Sequence, residues 1–258
     1  MSRTPETVSE ATRSLPLNGR VALITGASRG IGAAVAAELR AAGAHIAANY
    51  RTAPAAAAEL RKRDGPDAVS LWPADVADPA SGEALVAGVL EARGRLDVLV
   101  LNAATWRGGR LEGLSDEDWR LVLGTSLDGS FAILRAAVPA LRRSGAGRIV
   151  LMGSVVGLVG FPGDAAYATA KAGMLGLARS LAKELGRDGV TVNVVAPGLV
   201  ETDMTAAVRD DVKARMVART SLGRPATVGE VASAVRYLVC DGSYVTGHVL
   251  VVDGGFTL

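Results

Sequence analysis

Cysteine is almost missing from this sequence. Cys240 stands alone, which excludes an internal disulfide framework and suits a reducing compartment. Histidine is nearly as scarce, with only His45 and His248, so no Cys/His cluster of zinc-binding spacing can be assembled. There is no basic block: 28 basic and 26 acidic residues are scattered along the chain for a formal net charge of +2. Nucleic acid, whose phosphates demand a basic face, is therefore not an expected partner. Long hydrophobic runs are also lacking. The longest nearly apolar stretch, IVLMGSVVGLVGF at 149–161, is too short and too glycine-rich to span a membrane, and no membrane association is expected. The first 18 residues are polar, lack the apolar core of a secretory signal, and are expected to form a flexible tail on a cytoplasmic protein. What is present is a large apolar fraction, 49% hydrophobic against 21% charged over 258 residues. That is enough to bury a substantial core, and one domain is expected over 19–258.

From residue 20 onward, short β-branched runs alternate with longer alanine- and leucine-rich stretches. This pattern predicts an α/β fold with a single doubly wound domain of Rossmann type, in which a seven-stranded parallel sheet is covered by helices on both faces. Strands are predicted at 21–25, 45–49, 68–72, 97–101, 148–153, 190–195 and 248–252. Helices are predicted near 30–42, 54–63, 79–93, 116–143, 165–187 and 227–240, each long enough for a right-handed crossover. The segment from about 197 to 224 reads as irregular and is the candidate for a mobile lid.

The first strand runs directly into TGASRGIG at 25–32. Glycines at this strand-to-helix turn let backbone N–H groups approach a pyrophosphate at the positive end of the helix. Gly26, Ser28, Arg29, Gly30, Ile31 and Gly32 are therefore candidate cofactor-binding residues. The second strand ends in NYRT, without the carboxylate that would bind the ribose 2′-hydroxyl of NAD. Arg51, together with Arg29, suits a 2′-phosphate instead, so NADP(H) is the expected cofactor.

YATAK at 167–171 places Tyr167 and Lys171 four residues apart, on one face of a predicted helix. Most such pairs decorate a surface. A cation near 4 Å at an effective dielectric of 20 is nevertheless worth about 4 kcal/mol, which would lower a phenol pKa from about 10 by up to roughly 3 units.

Taken in order, TGASRGIG, DV at 75–76, LNAA at 101–104, Ser154, YATAK, APG at 196–198 and VDGG at 252–255 resemble the short-chain dehydrogenase/reductase family from Leu17 to Leu258. SVVGLVGFPGDAAYATAKAG and VNVVAPGLVETDM are most similar to its 3-oxoacyl-[acyl-carrier-protein] reductases. The resemblance implies NADPH-dependent reduction of a ketone, with Tyr167 as proton donor, Lys171 on the nicotinamide ribose and Ser154 on the carbonyl oxygen. It further implies that Asp75 and Val76 lie against the adenine. Asn102, Ala103 and Ala104 would lie beside the cofactor, and Pro197, Gly198, Val200 and Thr202 would border the nicotinamide. Asp75 has a plainer reading, as a carboxylate capping the helix that follows. A homotetramer, and a substrate carried on an acyl carrier protein, are also implied; the arginines at 135, 142, 143, 179 and 187 are candidates for receiving such a carrier.

Two departures from the family pattern bear on function. Ala104 replaces a glycine, which requires accommodation if that position needs φ > 0. Ser126 stands where the family usually carries the asparagine that holds a relay water. It is a candidate catalytic residue, since a hydroxyl can hold a water with shorter reach; the relay could also bypass it, or proton transfer could be impaired. The last case would leave a catalytically weak NADP(H)-binding protein acting as a sensor or assembly subunit. Within the enzyme reading, a different small or cyclic ketone is the alternative substrate. Trp106, Phe161, Leu199 and Met204 are candidates to line its pocket.

Overall fold

A computed structural model describes residues 15–258. Seven parallel strands form one sheet: β1 (Val21–Ile24), β2 (His45–Tyr50), β3 (Val69–Pro73), β4 (Val98–Leu101), β5 (Arg148–Met152), β6 (Thr191–Pro197) and β7 (Val249–Val252). Their order is β3-β2-β1-β4-β5-β6-β7. The chain winds outward from β1 to β3, then returns to lay β4 against the other side of β1, pairing Ala22 with Val98 and Ile24 with Val100. Winding direction reverses between β1 and β4, and such a switch point opens a crevice beyond the carboxyl ends of the two strands. All seven predicted strands are present, with ends shifted by a residue or two.

The central strands are apolar on both faces because both are covered. On one face, α1 (Gly30–Ala41) and α10 (Val228–Cys240) bury Val35, Leu39, Val231, Val235 and Leu238 against the sheet. The other face is covered by α3 (Pro79–Arg93), α5 (Gly129–Arg143) and α7 (Ala165–Leu185), which contribute Leu85, Val89, Ile133, Leu141, Met174 and Leu185. Local signals start these helices where the sequence places them. Asp78 accepts from the backbone N–H groups of Ala80 and Ser81 ahead of Pro79, and Thr227 and Glu230 form a reciprocal capping box on α10. The peripheral α2 (Pro54–Asp64) starts with its proline in the first turn, where the missing N–H costs nothing.

Three expectations can be set against the structure. The helix predicted over 116–143 is present and continuous, with α4 (Asp116–Leu123) passing into α5 through one turn of π-helix at Gly124–Asp128, beside which the backbone of Gly129 packs against the carbonyl of Val76. A Cβ on Gly129 would lie 2.1 Å from that oxygen. The lid segment is not irregular, since besides the single turn α8 (Asp203–Ala206) it contains α9 (Asp210–Arg219). Neither has a fully buried residue, so the apolar signal that makes a helix legible in sequence is weak there. The expected tail lies outside the described residues except for its last four, and there Leu17 is buried and its N–H donates to the carbonyl of Ala42. A further short helix, α6 (Val156–Val159), follows β5.

Candidate active site

A cleft of about 670 Å³ opens at the switch point. Its lining contains Gly26, Ser28, Arg29, Gly30 and Ile31 of the glycine turn, then Arg51, Asp75, Val76, Asn102, Ala103 and Ala104. Ser154, Tyr167, Lys171, Pro197, Gly198, Val200 and Thr202 complete the set of sequence candidates brought together there. Gly32 and Ser126 are not on the wall. Gly32 is a packing glycine, since a Cβ there would lie 2.2 Å from the carbonyl oxygen of Gly26. Ser126 is fully buried in the π turn, while its neighbour Thr125 reaches the cleft. Neither hydroxyl has a hydrogen-bond partner among the described residues. Of the candidate substrate-lining residues, Trp106 and Met204 line the cleft; Phe161 and Leu199 do not.

The glycine turn is held open by bonds that are hard to foresee from sequence. Asn49, buried at the end of β2, accepts from the N–H of Gly26 at 3.2 Å and donates to the carbonyls of Trp72 and Ala74 at 3.1 Å. The hydroxyl of Thr25 accepts from the N–H groups of Asn102 at 2.9 Å and Ala103 at 3.0 Å, joining β1 to β4 at the crevice. Gly26 and Gly30 have φ of 64° and 56°, a region where a side chain would be strained. Ala104 has no such burden: no described residue other than glycine has positive φ, so the departure from glycine is accommodated in ordinary backbone.

The residues fit a dinucleotide carrying a 2′-phosphate. Arg29 precedes α1 without making a side-chain cap bond, so the helix end is not blocked by its own side chain. Arg29 and Arg51 project from the cleft wall, each paired with an acid, Arg29 with Asp203 at 3.5 Å and Arg51 with Asp75 at 3.4 Å. Both pairs are well exposed, and such contacts contribute about 0–1 kcal/mol. Pairs this weak would yield to a phosphate offering charge-assisted bonds. Asp75 also accepts from the N–H of Ala77; it braces its own loop, while Asp78 caps the following helix.

At the other end of the cleft, Lys171 is only 2% exposed. Its ammonium donates to the carbonyl of Met152 at 2.6 Å and lies 5.5 Å from the centre of the Tyr167 ring. The expectation that the lysine lowers the phenol pKa is not met. Tyr167 keeps some surface open to the cleft, yet protein surrounds it closely enough that burial is the first cause pushing its pKa up to about 12. The charge of Asp164 adds to the rise, and the Ser154 hydroxyl opposes it. Burial brings Lys171 down to about 8. Lys171, brought down by burial, loses its proton before the phenol titrates, so its charge does not draw the phenol's pKa down. In the free protein the phenol is thus a protonated acid, beside a lysine poised close to its own titration.

Residues 26–257 match a family model described as enoyl-(acyl carrier protein) reductase. The chain is 41% identical over 242 residues to the 3-oxoacyl-[acyl-carrier-protein] reductase FabG of Salmonella typhimurium, covering 93% of this chain and 98% of that protein. Its counterpart in Escherichia coli is 42% identical over 238 residues, covering 92% and 97%, and that of Staphylococcus aureus is 40% identical over 238 residues, covering 91% and 96%. Such similarity along nearly the whole chain, together with the doubly wound sheet and the cleft at its switch point, places this protein in the short-chain dehydrogenase/reductase family as an NADP-dependent oxidoreductase.

Proposed function

We propose that the chain reduces the keto group of a 3-oxoacyl thioester, of fatty-acid or polyketide type, to a secondary alcohol. The observation that carries this reading is the placement of Ser154, Tyr167 and Lys171 on one wall of the cleft, with the phenol held protonated. When bound, the nicotinamide supplies the hydride. Tyr167 gives its hydroxyl proton to the carbonyl oxygen as charge develops there, and Ser154 donates a hydrogen bond to the same oxygen. Lys171, fixed by the Met152 carbonyl, holds the nicotinamide ribose and returns a proton to the phenolate. Ser126 supports that return: a buried hydroxyl without a protein partner is where ordered water sits, and Thr125 offers a second such hydroxyl at the cleft wall.

The similarity to 3-oxoacyl reductases along nearly the whole chain supports a ketone as substrate rather than the enoyl group of the family description. The test is loss of NADPH absorbance with an acetoacetyl thioester. Arg29 and Arg51 would bind the 2′-phosphate. Replacing both by alanine is expected to lower kcat/KM for NADPH by about 100- to 10,000-fold, at roughly 1.5–3 kcal/mol for each of the two charged hydrogen bonds, and to change NADH use little. A wild-type preference for NADH would refute this assignment.

We read the protein as cytoplasmic and as a homotetramer. Phe131 and Trp119 on the α4–α5 face, and Val251 on β7 with Tyr244 before it, are exposed apolar groups that such an assembly would cover. Delivery on an acyl carrier protein remains part of the proposal, with a smaller set of arginines. Arg142 is engaged by Asp188 at 2.7 Å and Glu184 at 3.6 Å, and Arg135 by Glu83. Among the described residues Arg143, Arg179 and Arg187 have no ion-pair partner, and they are better suited to an acidic surface. The reading as a catalytically weak binding protein rests on Ser126 and predicts tight NADPH binding without turnover.

A further inference from the structure

Trp106 belongs to a loop that is stapled across the substrate end of the cleft. Its indole Nε1–H donates to Oδ1 of Asp164 at 2.8 Å, joining the segment after β4 to the residue before α7. A second bond lies beside the first: the N–H of Gly109 donates to the carbonyl of Gly163 at 2.9 Å. Gly108 lets the loop fold over the indole, since a Cβ there would meet the ring at 2.3 Å. Asp164 occupies the N-cap position of α7, where an aspartate ordinarily accepts from the helix N–H groups. Asp78, Ser115, Thr202 and Thr227 do so at their helices, but the Asp164 side chain makes no cap bond. Its carboxylate is partly buried and turned to the indole instead, and burial raises its pKa while the indole donor opposes the rise. Three residues further on, Tyr167 shares the cleft wall with Trp106.

We propose that Trp106 is the specificity-determining wall of the substrate end and that Asp164 is the residue positioning it, so that the pair limits the length of acyl chain that reaches Tyr167. The indole is the bulkiest group on the segment that closes this end. It is fixed by a charge-assisted bond in a partly buried setting, where such bonds are strong, rather than by packing alone. The pocket thereby favours short 3-oxoacyl groups over long ones. This inference rests on the ketone-reductase reading, so its test has one arm that needs no turnover.

In that arm, the Trp106 indole N–H resonance is identified by its loss in Trp106→Phe. It is expected to shift upfield and to exchange faster with solvent in Asp164→Ala, while Asp164→Asn, whose amide oxygen still accepts, keeps it near its wild-type position. In the second arm, kcat/KM is compared for acetoacetyl and 3-oxodecanoyl thioesters of N-acetylcysteamine. Trp106→Ala is expected to move the ratio towards the longer chain by about 10-fold or more, the scale of discrimination in an apolar pocket. Asp164→Ala and Trp106→Phe should each move it in the same direction by less, mainly through KM. Their double variant should go no further than either alone, and Asp164→Asn should restore the wild-type ratio. An indole resonance indifferent to Asp164→Ala overturns the positioning role, and an unchanged ratio in Trp106→Ala overturns the wall. A wild-type protein that reduces neither thioester refutes the reductase reading instead, and the resonance still decides the latch.

Discussion

Replacing Tyr167 by phenylalanine is expected to lower kcat for ketone reduction by about 100- to 10,000-fold, the usual worth of a positioned general acid, while leaving the Kd for NADPH within a few-fold of wild type. The substitution removes one oxygen from a residue that lines the cleft but takes no part in the glycine turn or the arginine pairs, so binding and chemistry should separate. The pH profile adds a sign. With the phenol pKa pushed up to about 12, Tyr167 stays protonated throughout the working range, and its own titration does not limit reduction. Lys171, lowered to about 8, does titrate there. Its protonated form is the one that resupplies the phenolate, so reduction should weaken as pH rises through about 8. Steady-state kinetics from pH 6 to 10, with NADPH binding followed by fluorescence, checks both claims. A Tyr167→Phe protein with near wild-type kcat would remove the proposed acid.

Asp97→Ala is expected to destabilise the fold by about 3–5 kcal/mol, because the Val21 N–H and the Ser144 hydroxyl lose their acceptor at roughly 1–3 kcal/mol each and the bonds from the half-exposed Arg95 go with them. The expected fall in Tm is roughly 6 to 20 °C, at about 2–4 °C per kcal/mol for a chain of this size. The Asp97 side chain is completely buried at the start of β4 and is fully used. It accepts from Arg95 at 2.7 and 2.8 Å, from the Ser144 hydroxyl at 2.8 Å and from the N–H of Val21 at 2.9 Å, with Arg20 at 3.5 Å. It therefore ties β4 to β1 at the end opposite the cleft, fixing the two strands whose far ends form the switch point. Burial alone would raise its pKa, but the Arg95 bonds and the other donors together hold it below the usual carboxylate value. A depressed folded pKa means that the stabilisation is complete above the unfolded value near 4 and is lost as pH falls through the folded value. Wild-type stability should accordingly decline below about pH 4, with a shallower decline in Asp97→Ala. Thermal unfolding at pH 7 and pH 3 measures both. Equal Tm values for the two proteins at pH 7 would show that the network contributes nothing net.

The sheet and its crossover helices were legible because both faces of the central strands are buried, which leaves continuous β-branched runs such as VALI and VLVL. The cleft was legible where a motif fixes a backbone shape, as in the glycine turn, or a helical spacing, as between Tyr167 and Lys171. What escaped sequence reasoning depends on long-range partners. Asn49 looked like part of an ordinary strand end until its bonds to Gly26 and Ala74 were seen. Asp164, at the N-cap position of α7, turns its carboxylate to Trp106, a partner 58 residues away that no local motif announces. The phenol's pKa went the other way from expectation because helical spacing says where a lysine can reach, and not how deeply the pair is buried. α9 was missed because its apolar face is short, Val212, Met216 and Val217, and only half-buried.

The central claim is that this cleft reduces a keto group with a proton from Tyr167, and one measurement meets it directly. Wild-type protein is mixed with NADPH and a panel comprising acetoacetyl and longer 3-oxoacyl thioesters, an enoyl thioester and unrelated cyclic ketones, and absorbance at the nicotinamide band is followed. The expected result is turnover of the 3-oxoacyl thioesters, with 3-hydroxyacyl products, and little or none of the enoyl thioester. Tight NADPH binding with no ketone consumed would contradict the account, and would point to Ser126 as the place where the proton supply fails.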